Sequence, residues 1–162
     1  VWESRNLPRA EWTPVGPSSY ELLYRSGAGL TPRPLRRIAS GGELSRVMLA
    51  SKVVLGNADG VDTLVFDEVD AGVGGSTARA LAGVLADLAA THQVIVVTHL
   101  AQVAVMADKH YVVSKEPGDV PQTHLGEVTG EARTAEIARM LSGDQSEASL
   151  AHAKQMLEEA RG

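Results

Sequence analysis

A short apolar run that ends in carboxylates places the strongest constraint on the fold of this chain. Leu64, Val65 and Phe66 are followed at once by Asp67 and Glu68. A strand that is apolar on both faces belongs inside a parallel sheet, where functional groups collect at the carboxyl ends of the strands. We therefore expect the two carboxylates at such an edge. An acidic pair that only begins a loop would produce the same local pattern.

A capped helix is predicted upstream of this strand. Its start is the segment Ser40-Gly41-Gly42-Glu43, which has the spacing of a capping box, and Gly56 ends it. Six residues behind this start fall on one helical face, namely Leu44, Val47, Met48, Ser51, Val54 and Leu55. A capped and packed helix explains the segment fully. The two glycines also leave backbone N–H groups at a helix N-terminus, where a phosphate is favoured.

A second strand and a histidine follow downstream. Residues 76–90 have helical periodicity, residues 93–98 form an apolar run, and His99 comes next. Strand, helix and strand in this order predict a βαβ unit with parallel strands. His99 should then lie at the same sheet edge as the acidic pair. There it is a candidate phosphate contact, although a histidine after a strand is more often a structural residue.

The remaining segments carry less chemistry. Residues 1–18 predict an irregular leading segment, and residues 20–24 predict a short strand. After His99 we expect a helix over 100–107, strands over 110–114 and 122–128, and helices over 131–141 and 147–160. The length of 162 residues fits one domain of ordinary size.

Composition excludes several classes of protein. The chain has no cysteine, which fits a reducing cytosol, and no apolar stretch as long as a membrane-spanning helix. The formal net charge of −5 argues against a nucleic-acid footprint over the whole surface, which would be basic. The net charge does not exclude a local basic patch, such as one formed by Arg33, Arg36 and Arg37.

Four motifs in this order resemble those of ABC-type ATPases. They are the signature motif at residues 40–46, the Walker B strand at 64–68, the D-loop at 69–72 and the switch histidine at 97–99. The longer phrases at 38–50 and 66–73, with residues 136–141, resemble the RecN family of bacterial DNA repair proteins, in the SMC-like branch. This resemblance implies an α/β fold, the C-terminal lobe of an ABC-type (P-loop NTPase) head, with a mostly parallel sheet flanked by helices. Residues 35–162 would form this lobe, and residues 1–34 would join it to an absent N-terminal lobe and coiled coil.

The resemblance also implies a catalytic role for three residues. Glu68 is expected to be the general base that polarises the attacking water, and His99 to contact the γ-phosphate of ATP. Asp67 is expected to hold Mg²⁺ through water, since a hard cation prefers carboxylate oxygen. The cofactors implied are thus ATP and Mg²⁺.

The signature residues are expected to act on a second subunit. By resemblance, Ser40, Gly41, Gly42 and Glu43 bind the nucleotide held by the partner, so that ATP joins two heads into a homodimer and hydrolysis releases them. Asp70 would link the two sites across that interface. In this interpretation the helix N-terminus lies far from the strand edge of its own chain and serves the partner's anion.

One departure from a complete ATPase limits the prediction. No G-x-x-x-x-G-K-[ST] phosphate loop occurs in the sequence, so the chain alone should be inactive and should need the N-terminal lobe as a partner. We expect a cytoplasmic, nucleoid-associated protein that works in recombinational repair of DNA double-strand breaks, with DNA bound mainly by other parts and no membrane contact. A non-enzymatic dimerisation or DNA-tethering module is the alternative, and a transporter ATPase fragment is a weaker one.

Overall fold

A computed structural model of the chain describes residues 2–25, 27–37, 40–116 and 122–160. Ile38 and Ala39, the first residues of the longer signature phrase, lie outside these ranges. The strands and helices are β1 Trp2–Asn6, β2 Ser18–Tyr24, β3 Arg33–Pro34, α1 Gly41–Leu55, β4 Thr63–Phe66, α2 Gly75–Ala89, β5 Gln93–Val96, α3 Ala101–Ala104, β6 His110–Glu116, β7 Gln122–Val128, α4 Gly130–Ser142 and α5 Glu147–Glu159.

The predicted βαβ unit is present at the centre of the chain. Strands β4 and β5 pair in parallel, from Thr63 opposite Gln93 to Phe66 opposite Val96, and α2 connects them. The main core lies on one face of this pair. It contains Leu49, Leu64, Phe66, Val69, Leu81, Ala82, Leu85, Leu88 and Val103. A parallel sheet flanked by helices is therefore observed, and the strands outside it pair antiparallel.

The prediction of an irregular leading segment is wrong for residues 2–6. Trp2–Asn6 forms β1, which pairs antiparallel with β2, and β2 in turn pairs with β3. The pairing is non-local, with Asn6 opposite Ser18, and it recruits polar residues that have no strand periodicity of their own. A backbone ladder can form wherever two extended segments meet, so the local sequence carried no signal for β1.

A second, smaller core joins the last helices to α3. It contains Ala101, Ala104, Val105, Ile137, Ala138, Ala153 and Leu157. Helices α4 and α5 pack against each other and are joined by a short turn that begins at Gly143. Gly143 has φ +77°, a conformation that favours glycine. Strands β6 and β7 form an antiparallel hairpin next to it. None of the described helices is long and apolar enough to span a bilayer.

The apolar face of α1 is largely uncovered in the described part of the chain. Only Leu49 among its large apolar residues is buried, at 4% exposure, whereas Val54 is 84% exposed and Met48 is 48% exposed. The outer face of the sheet is open too, since Val65 and Ile95 are exposed. Periodicity identifies an apolar face but not what covers it, and nothing among the described residues covers this one.

We call this surface the open apolar face and define it by Met48, Val54, Val65, Ile95 and Val97, all of them exposed. A groove of about 240 Å³ lies between its helical and strand parts, and residues of α1 and β4 line it. An uncovered apolar surface of this kind marks an interaction site.

Candidate functional site

The N-terminus of α1 lies against the loop that follows β4 in the same chain. A Cβ atom added at Gly41 would collide with Oε2 of Glu68, and one added at Gly42 would lie 2.8 Å from both the Glu68 carbonyl oxygen and the Ala71 Cβ. At Gly42 the neighbouring atoms include the backbone, so only glycine permits this approach and Gly42 has a packing role, whereas at Gly41 the neighbour is the end of the exposed Glu68 side chain, which can move aside. The expectation that the helix start lies far from its own strand edge is therefore wrong.

The first turn of α1 shows one of the two hydrogen bonds of the predicted capping box. The Ser40 hydroxyl accepts a hydrogen bond from the Glu43 backbone N–H, at 3.4 Å. Ser40 and Gly41 are exposed, while Gly42 is buried. The first N–H groups of a helix have no intrahelical partner and carry partial positive charge, so the exposed part of this turn has the chemistry to bind an anion.

Asp67 and Glu68 directly follow β4, at the carboxyl edge of the parallel pair, and both are exposed. Glu68 has φ +55° and is the one residue other than glycine with positive φ in the described part of the chain. This left-handed conformation costs a non-glycine residue of order 1–3 kcal/mol. The turn closes with a hydrogen bond from Ala71 N–H to the Glu68 carbonyl oxygen, at 3.0 Å.

Asp70 joins this loop to the segment after β5. The residue is 2% exposed, and its Oδ2 accepts hydrogen bonds from the Thr98 hydroxyl and, at 3.1 Å, from the His99 backbone N–H. The His99 Nδ1 lies 3.3 Å from the same oxygen, and the imidazole is 70% exposed. The Thr98 hydroxyl accepts in turn from the Leu100 N–H, at 3.0 Å. The structure thus brings His99 to the acidic loop, as the motif order predicts.

This burial changes how Asp70 can act. Its carboxylate is bonded within its own chain and is not presented to a partner. Asp70 therefore holds Thr98 and the exposed His99 imidazole in position, and the expected link between two nucleotide sites stays a prediction.

Two residues on α1 for which no role was predicted, Ser45 and Arg46, hold the loop. The Ser45 hydroxyl donates to the Asp67 carbonyl oxygen, at 2.5 Å, and Arg46 Nη1 donates to the carbonyl oxygens of Val69 and Ala71, at 3.2 and 2.8 Å. The sequence contained one signal for Arg46. It lies four residues after Gly42, which places both on the helix face that meets the loop.

The acidic residues fit a Mg²⁺ ion of the kind that accompanies a nucleotide. No group of three or more His, Cys, Asp or Glu in the described ranges could hold a metal by itself. Mg²⁺ is commonly bound by one or two carboxylates together with waters and substrate phosphates. The exposed carboxylates of Asp67 and Glu68 suit that mode, and they do not form a complete protein cage.

Comparison with known proteins identifies relatives for nearly the whole chain, although no protein-family model matches it. A DNA repair protein RecN from Treponema pallidum is 52% identical over 146 residues, which are 89% of this chain and 26% of that protein. The RecN proteins of Deinococcus radiodurans and Streptomyces coelicolor are 52% and 49% identical, over 91% of this chain and 26% of each relative. The chain therefore spans about a quarter of the length of these curated relatives.

A solved structure supports the fold. The Smc head domain with a coiled coil and joint from Pyrococcus yayanosii aligns with a TM-score of 0.55 and 21% identity, over 99% of this chain and 26% of that one. At this identity the likeness concerns the fold alone, and it confirms the predicted α/β fold as one similar to that of an Smc head domain. Since about half of its residues match the RecN proteins over nine-tenths of its length, the chain belongs to the RecN family.

Proposed function

We propose that this chain is the C-terminal lobe of an SMC-like ABC ATPase head that binds and hydrolyses ATP between two heads during repair of DNA double-strand breaks. Residues 35–162 form the lobe, and residues 1–34 join it to the rest of the protein. One observation carries the proposal: the signature, carboxylate and switch segments meet at one sheet edge, with Gly41 against Glu68 and Asp70 bonded to His99. The relatives' description as DNA repair proteins supports the biological setting.

Each residue at this edge has a chemical task in phosphoryl transfer to water. Glu68 orients the attacking water and accepts its proton, because a carboxylate within hydrogen-bond reach is a suitable general base. His99, whose imidazole is 70% exposed, donates a hydrogen bond to a γ-phosphate oxygen. Asp67 holds Mg²⁺ through water. When bound, that ion neutralises charge on the phosphates.

The signature turn completes the site of a second head. Ser40 and Gly41 are exposed at the start of a 15-residue helix, and Ser40 contributes a hydroxyl. Helix N-termini bind phosphate through free backbone N–H groups and the helix dipole. Together with Gly42 and Glu43, these residues close over the γ-phosphate of the partner's ATP, so that bound ATP favours the homodimer and hydrolysis releases it.

The remainder of the protein supplies what this chain lacks. The sequence has no phosphate loop, and the chain spans about a quarter of the curated relatives. The open apolar face, which includes Val65 at 65% and Val97 at 59% exposure, is a fitting contact for the N-terminal lobe. Burial of such side chains stabilises an interface by about 25 cal/mol per Å² of apolar area. DNA contacts fall mainly on the absent parts.

The test is ATP hydrolysis by this chain, by the chain mixed with its N-terminal lobe, and by the mixture carrying Glu68→Gln. We expect turnover only in the wild-type mixture and accumulation of an ATP-bound dimer in the variant. Glu158→Gln, the same exchange at an exposed site on α5, is the matched control and should leave turnover unchanged. An inert mixture, or a Glu68→Gln mixture as active as wild type, would favour a non-enzymatic dimerisation or DNA-tethering module instead.

A further inference from the structure

The strained conformation of Glu68 needs a structural support. At φ +55° a residue with a Cβ atom is disfavoured, and it persists only where the surrounding structure holds the backbone. Such strain clusters at functional sites, where neighbouring groups must hold the turn.

The groups that hold it come from the signature helix. Ser45 Oγ bonds to the carbonyl oxygen of Asp67, directly before Glu68, at 2.5 Å. Arg46 Nη1 bonds to the carbonyl oxygen of Val69, directly after Glu68, at 3.2 Å, and to that of Ala71, at 2.8 Å. The peptide unit directly before Glu68 and the one that follows Val69 are therefore held from one helix, and the Glu68 carbonyl oxygen between them accepts from the Ala71 N–H, at 3.0 Å.

The environment of Arg46 matches this task. Its side chain is part-buried, and Nη1 would lie 3.2 Å from a Cβ atom added at Gly42. A side chain at position 42 would therefore press on the guanidinium as well as on the loop. A guanidinium has several donors in one rigid plane, so one group can bond two neighbouring carbonyl oxygens, and lysine lacks that geometry.

We propose that Arg46, assisted by Ser45, is a positioning residue for Glu68: it holds the left-handed turn after β4 so that the Glu68 carboxylate stays where hydrolysis requires it. The inference rests on the proposed function, because it concerns the same site. The Arg46 guanidinium bonds backbone carbonyl oxygens of the loop. It acts through the backbone of residues 67–71 and links the signature helix, which closes over the partner's nucleotide, to the general base of its own site.

The test uses the full-length protein that carries this chain. Arg46→Gln should lower kcat about 10- to 100-fold, the range expected when a reacting group is misplaced by about 1 Å. The Kd for ATP should stay within about twofold, because Arg46 does not touch the nucleotide. Arg139→Gln removes the same charge from a surface pair on α4 and should leave both constants unchanged. Arg46→Lys should fall between wild type and Arg46→Gln.

A double variant separates positioning from a structural or docking role. Glu68→Gln with Arg46→Gln should still accumulate the ATP-bound dimer to the level of Glu68→Gln alone, because only the hydrolysis step depends on the turn. Failure of the double variant to form that dimer would overturn the proposal and make Arg46 a docking residue. Wild-type turnover by Arg46→Gln would overturn it as well.

Two further comparisons keep the result decisive. If Arg46→Gln does not fold, Ser45→Ala removes one bond to the same turn, and a lower kcat supports the proposal while an unchanged kcat overturns it. The proposed function is tested separately by wild-type turnover and by dimer accumulation in Glu68→Gln. If those hold and Arg46→Gln is fully active, only the positioning role fails.

Discussion

Replacing Glu68 by glycine and by alanine separates the strain of its backbone from the chemistry of its side chain. Both variants remove the carboxylate that lies against Gly41, so they differ only in the Cβ atom. At φ +55° a residue with a Cβ atom is about 1–2 kcal/mol less stable than in the right-handed region. The greater freedom of glycine in the unfolded chain offsets about 0.4–1 kcal/mol of this. We expect the free energy of unfolding of the glycine variant to be higher by about 0.5–1 kcal/mol.

Urea unfolding followed by circular dichroism measures this difference. With a denaturant slope of about 2 kcal/mol/M, the midpoint of Glu68→Gly should exceed that of Glu68→Ala by about 0.25–0.5 M. Ala80→Gly, at an exposed position inside α2, is the control and should lower the free energy of unfolding by about 1 kcal/mol. If Glu68→Gly is less stable than Glu68→Ala by a similar amount, residue 68 is not in a left-handed conformation and the positioning argument loses its basis.

Three further predictions concern stability. Leu85→Ala should lower the free energy of unfolding by about 2–5 kcal/mol, because Leu85 is 5% exposed and the shorter side chain leaves a cavity. Val54→Ala, at a position that is 84% exposed, is the control and should change the free energy of unfolding by less than about 0.5 kcal/mol. Equal urea midpoints for the two variants would contradict the assigned core. The pKa of Asp144 is lowered to about 2 by hydrogen bonds, first from the Ser149 hydroxyl and then from a backbone amide and two more hydroxyls. Wild type should therefore be more stable than Asp144→Asn at neutral pH, and urea unfolding should show this difference disappearing as the pH falls towards 2. Burial lowers the pKa of His110, so wild type should lose more stability than His110→Gln when the pH falls below about 6.5, and parallel pH profiles would count against this.

Much of the fold was predictable because its signals are local. The predicted helices at 131–141 and 147–160 are observed as Gly130–Ser142 and Glu147–Glu159, and the strand at 122–128 is observed as Gln122–Val128. Periodicity, caps and turn residues act within a few positions, so the sequence contains them directly. The approach of His99 to the acidic loop was also predictable, because parallel strands bring their carboxyl ends to one edge.

The details of the candidate site depend on non-local contacts. Glu68 carries no local signal for a left-handed backbone, and its conformation follows from bonds that Ser45 and Arg46 make more than twenty positions away in the sequence. Asp70 reads as an exposed loop carboxylate, yet it is 2% exposed, because Thr98 and His99 meet it from the next strand.

The sequence by itself therefore determined which elements form, in what order, and which chemical groups they present at the edge of the sheet. Only the tertiary structure decided that β1 pairs with β2, that α1 leaves Val54 and Met48 uncovered, and that the glycines of the signature turn lie against Glu68. The physical reason is the range of the forces. Backbone propensity and capping act between near neighbours in the chain, whereas burial, close glycine contacts and the support of a strained turn need segments that only folding brings together.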